Sequence, residues 1–135
     1  MVGMTIHLNT LAYTSLLYYL TAVYAVHNGR SLLGAALAAL TASSYIHHSS
    51  YKDAQSFALD NPIRKVDFAV IGVVGVVAAH EVATRSLSSP TVAMSTALLS
   101  ALLYAYEDFA QWEESCNVHA IVHVVSAIGL GAIAS

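Results

Sequence analysis

The chain has 135 residues, of which 57% are hydrophobic and only 10% charged, with a net charge of −3 and a mean hydropathy of +0.63. Soluble domains carry about a quarter charged residues, so this composition excludes an ordinary water-facing globule and predicts an integral, multi-pass membrane protein surrounded by membrane lipids. The lack of a basic stripe excludes nucleic acid as a partner, and a lone cysteine, Cys116, excludes an internal disulfide framework.

The N-terminal "MVGMTIHLNT" has no basic stretch, so a cleavable signal peptide is not expected. Crossing the hydrocarbon core takes about 20 helical residues, with every backbone polar group satisfied inside the segment. Five stretches meet that demand. The first runs from about Thr5 to Val26 and stops near "HNGR", where Gly29 suits a C-cap. The second runs from about Ser31 to Ser50. A long connection, "YKDAQSFALDNPIRK", follows, and its Asn61-Pro62 pair reads as a helix interruption. The third runs from about Val66 to Thr84. Ser89 and Pro90 suit the N-cap and first position of the fourth, which continues to about Phe109. The fifth runs from about Asn117 to Ala134.

Small residues run through "GAALAALTASS", "GVVGVVAA" and "AIGLGAIAS", and in lipid they let helix backbones approach closely. The expected fold is therefore all-α: one domain over residues 1–135, a compact bundle of about five transmembrane helices. Such a surface is also compatible with homo-oligomers, with no stoichiometry readable.

Five antiparallel passes fix which residues share a side. The end of helix 2, the starts of helices 1, 3 and 5 and the end of helix 4 lie together on a side called X. His7, His47, His48, Asp67, His119 and His123 therefore lie at similar depth, while His27 and His80-Glu81 lie toward the opposite side, Y. Lys52, Arg64 and Lys65 at X against Arg30 and Arg85 at Y lean X toward the cytoplasm. Tyr104, Tyr106 and Trp112 read as interfacial anchors, and Glu107 and Asp108 as acids at headgroup level.

"HAIVH" puts His119 and His123 four apart, stacked on one helix face. Two imidazoles so arranged can share a metal, and His47 or His48 from helix 2 supplies a third. Three protein ligands and an open position are the pattern of catalytic zinc, which lowers the pKa of a bound water to about 7. Asp67 is placed to act on that water. Ser43 stands four residues before His47 and Ser44 four before His48, so either serine lies one turn below a histidine, able to orient a ligand or donate to a developing oxyanion. Each residue also has a plain reading. Histidines at helix ends are reached by water, Asp67 complements a helix N-terminus, and serines bond back to helix carbonyls. Their shared depth in apolar segments favours function, because ionisable groups within spans are functional by default.

These residues resemble the motif set of the CREST superfamily of membrane proteins, which includes alkaline ceramidases, progestin and adiponectin receptors, Per1-type proteins and myomaker-like proteins. The family pattern is Ser-x-x-x-His at one helix end, Asp at the start of the next helix and His-x-x-x-His on the last. "SSYIHH", "KVDFAVIG" and "NVHAIVHVVSAIG" correspond to it. The resemblance implies zinc held by His48 (or His47), His119 and His123, with Asp67 acting on the water and Ser44 (or Ser43) assisting. His48 is preferred because a serine follows it directly, as in some receptor-type members. Family members have seven helices, with three between the Asp helix and the last, where this chain has room for one. Losing two preserves every orientation but removes part of the cavity wall.

The function expected is that of an intramembrane zinc hydrolase cleaving a lipid amide or ester. The alternative is a non-enzymatic, receptor-like or fusion-like membrane protein in which the same zinc is structural. Haem b between facing histidines is a third reading, less favoured because serine and aspartate stand beside them.

Overall fold

The computed structural model describes residues 10–50, 61–107 and 112–135, and among these every regular element is helical. His7 and Asp108 lie outside the described residues, as do Asp60, a loop carboxylate that rivals Asp67 in the sequence, and the side chains of Glu107 and Trp112. Residues 10–15 are helical up to a turn at Leu16, and α1 (Leu17–His27) follows. Then come α2 (Ser31–Ser49), α3 (Pro62–Thr84), α4 (Pro90–Glu107) and α5 (Trp112–Ala134). Two of the five, Pro62–Thr84 and Cys116–Ala134, are long and apolar enough to cross a membrane.

Local chemistry sets the boundaries. Gly29 turns the chain after α1 at φ 73°, a left-handed conformation that glycine adopts without a Cβ penalty. Asn61-Pro62 begins α3 instead of interrupting a loop: the Asn61 side chain accepts from the Ile63 N–H at 2.9 Å, and Pro62 takes the first helical position. That pair starts the third helix four residues before the expected Val66.

The helices pack in the order α3–α2–α1–α5–α4, each seated along its neighbour, while α3 and α4 share no extended seam. α2 supplies much of the core. Leu33, Leu37, Leu40, Ser44 and His48 recur at helical spacing and are all buried. Gly34 lets α1 come close, since an added Cβ would meet Val26 and lie 3.1 Å from the Ala22 carbonyl oxygen. Gly129 does the same beneath Thr96 of α4. The glycines of "GVVGVVAA" serve no close approach, because nothing stands within 4 Å of a Cβ built on Gly72 or Gly75.

At the end remote from the histidines, Arg30 and Glu81 form an ion pair at 3.0 Å with both side chains buried, and Arg85 adds a contact to the same oxygen at 3.1 Å. Removing one partner of a buried pair leaves the other charge uncompensated, which costs about 3–5 kcal/mol. Glu81→Ala should therefore lower the thermal unfolding midpoint in detergent sharply. Arg85, whose side chain is 49% exposed, should tolerate alanine at a cost of under about 1 kcal/mol. Equal losses in the two variants would contradict the assignment of the buried pair as the anchor of this end.

Candidate metal centre

The buried stripe of α2 changes character as it nears its C-terminus. Leucines give way to Thr41, Ser44, His47 and His48, all buried on the same helix. Because the stripe already faces the bundle interior, its last turn delivers polar groups there as well. α5 meets it with His119 and His123 one turn apart. His48, His119 and His123 converge, with one ring nitrogen from each lying within 4.8 Å of the others. Ring centroids are 4.9 Å apart for His48–His119, 4.9 Å for His48–His123 and 4.8 Å for His119–His123. Of the two adjacent histidines, His48 joins this group; His47 is also buried, with its ring 5.0 Å from that of His48.

The donor set fits a metal ion. The Nε2 atoms of His48 and His123 stand 3.2 Å apart. Two ligands bound tetrahedrally at the usual 2.0–2.1 Å zinc–nitrogen distance are separated by about 3.3 Å. Imidazole donors suit zinc, and also copper, iron or nickel, so the group could hold a metal ion without choosing which.

The two serines separate. Ser43 donates to Asp67 Oδ1 at 2.7 Å, linking the end of α2 to the start of α3. Ser44 is buried beside the histidines, with the Ser15 hydroxyl 3.4 Å away. The serine bonded to the carboxylate and the histidine in the metal group thus come from different Ser-x-x-x-His frames, a division that the two overlapping spacings leave open.

The first helical segment also contributes, through residues that carry no motif. Thr14 Oγ1 lies 2.9 Å from His123 Nδ1. Tyr18 packs edge-on to the His123 ring at 5.5 Å, and its hydroxyl lies 2.7 Å from Ser126 Oγ. Ser126 gives its own proton to the Val122 carbonyl at 2.6 Å, so Tyr18 is the donor to Ser126. Tyr104, read from the sequence as an interfacial anchor, stands 6.0 Å from the His119 ring and 6.1 Å from Phe68. Tyr106 is exposed, and so are His27 and His80.

Between α3 and α4, where the ring of helices has no seam, lies a cavity of about 700 Å³. Ser44, Asp67, His119 and His123 line one end, and its wall runs down α5 past Ser126 and Gly129 to Ile133. Its other walls are mostly alanine, valine, leucine and glycine.

No family model matches the chain, and neither a curated protein nor a solved structure matches it.

The geometry separates the two adjacent histidines experimentally. With the protein purified in detergent away from chelators, mass spectrometry should find about one metal ion per chain, the occupancy of a single site. His48→Ala, His119→Ala and His123→Ala should each lose it, whereas His47→Ala should keep it. Loss from His47→Ala with retention in His48→Ala would reverse the assignment.

Proposed function

We propose that this chain is a five-span membrane bundle, a shortened relative of the CREST proteins, that binds zinc through His48, His119 and His123 and hydrolyses an amide or ester bond of a lipid. The observation that carries this reading is the position of the histidine group at the polar end of an otherwise apolar chamber. A single-chain or few-chain amphiphile matches that chamber, with its hydrocarbon against the walls and its carbonyl among the polar groups. Outward-facing apolar side chains support the membrane setting: Val76 is 72% exposed, Met94 74% and Leu98 64%. So much exposed apolar surface disfavours a monomer in water.

Zinc at this position supplies a Lewis acid for the carbonyl and lowers the pKa of a water to about 7. Asp67 would take up the proton of the attacking water and pass it to the leaving amine or alkoxide as the carbonyl's C–N or C–O bond breaks. The bond from Ser43 occupies Oδ1, fixing the carboxylate's orientation and leaving Oδ2 for the transfer. Ser44 presents its hydroxyl to the chamber, where it serves the substrate's carbonyl oxygen. The apolar walls hold the chain and exclude bulk water from the reacting bond.

A second reading, in which zinc is structural and the protein acts without catalysis, has one observation in its favour. Among the described residues α2 and α5 share no extended seam, so a metal between His48 and the α5 histidines would clamp two helices that otherwise touch little.

Turnover separates the two. Reconstituted into liposomes with lipid amides and esters, the wild type should release free fatty acid, detected by mass spectrometry. Asp67→Asn should keep its zinc and lose about 10²–10⁴-fold in rate, the usual contribution of a positioned acid–base group. Zinc retained with no turnover of any lipid tested, together with unfolding on chelation, would favour the clamp.

A further inference from the structure

A histidine binds a metal through a ring nitrogen only if its proton sits on the other one. For His123 the nitrogen facing His48 is Nε2, at 3.2 Å. Its Nδ1 faces Thr14 Oγ1 at 2.9 Å. A threonine hydroxyl has one proton and two lone pairs, so it either donates to this nitrogen or accepts from it, and the two choices give opposite tautomers.

The surroundings of Thr14 point to one of them. Its hydroxyl donates to the Leu11 carbonyl oxygen at 3.0 Å, a group that can only accept. Ser15 donates to the same oxygen at 2.9 Å. Both back-bonds lie beside the turn where the Leu16 N–H bonds to Tyr13 O at 3.0 Å. A proton placed on the Leu11 carbonyl leaves Thr14 with lone pairs to offer His123, and Nδ1–H then completes the contact.

We propose that Thr14 is a positioning residue for the metal centre: its hydroxyl oxygen accepts a hydrogen bond from His123 Nδ1–H and so keeps the Nε2 lone pair directed at the metal position. The inference rests on the metal reading above but adds a residue that touches neither metal nor substrate. It gives the N-terminal segment a part in the centre that no motif marks. An outer partner of this kind fixes both the tautomer and the ring orientation of a ligand, and losing one typically weakens metal binding 10–100-fold.

The test uses the full chain in detergent and has two readouts independent of catalysis. In metal-free protein labelled with ¹⁵N-histidine, nitrogen shifts report the tautomer of His123, assigned by the signal lost in His123→Gln. The wild type should show Nδ1–H. Zinc affinity, measured by competition with a chromophoric chelator, should fall about 10–100-fold in Thr14→Val, which keeps the shape and removes the acceptor. Thr14→Ser should retain both the tautomer and the affinity. An Nε2–H wild type overturns the proposal, as does wild-type affinity in Thr14→Val or a Thr14→Ser variant as weak as Thr14→Val. Should Thr14→Val fail to fold, the wild-type tautomer and the serine variant still decide. A wild type that binds no zinc ends the metal reading, while the tautomer measurement continues to judge Thr14 separately.

Discussion

An α-helix returns to the same face after about seven residues, and whatever occupies that face shares one environment. On α2 the shared face holds Leu33, Leu37 and Leu40 for most of its length and then Ser44 and His48, all buried. The leucines hold α2 between α1 and α3. The same burial then carries the imidazole of His48 inward, where polar groups need partners. His123 meets it across the interior, Thr14 backs His123, and Ser43 on the adjoining flank of α2 engages Asp67. The polar centre is a continuation of the packing by other side chains.

The bundle is polar at both ends in different ways. At the histidine end, imidazole rings, hydroxyls and the Asp67 carboxyl form a network around an opening. At the other, Arg30 and Glu81 are buried as a charged pair joining the start of α2 to the end of α3, and Asn28 donates to the Ala134 carbonyl at the end of α5. Charges that neutralise one another make a closed joint. Rings with lone pairs facing inward make a place that can receive something.

Residues whose role follows from spacing could be read from the chain alone. His119 and His123 must stack on any helix, and the antiparallel order of the helices sets them level with His48 and Asp67. Choosing His48 over His47 takes the assembled helices: both are buried and both continue the stripe of Leu33, Leu37 and Leu40, but His48 is the one that meets His119 and His123. Thr14 and Ser15 sit in an apolar run like any other small polar residues, so their part depends on the turn at Leu16 and on a partner 109 positions away from Thr14. Arg30 and Glu81 face the same obstacle: each resembles a loop or interfacial charge until the helices are assembled. Asn61-Pro62 is a different case. The pair signals a boundary in either reading, and only the bond to Ile63 shows that the helix lies after it.

The seam between α1 and α5 joins elements far apart in the sequence. Seventy-five positions separate His48 from its counterpart His123, so at a synthesis rate of about 5–20 residues per second the earlier histidine waits roughly 4–15 s for the later one. During that interval α1 and α2 can pair and bury their leucines, but the metal group does not yet exist. A truncated product missing the last helix would retain much of the packing and lack the centre. The histidine group therefore cannot assemble before α5 has been made.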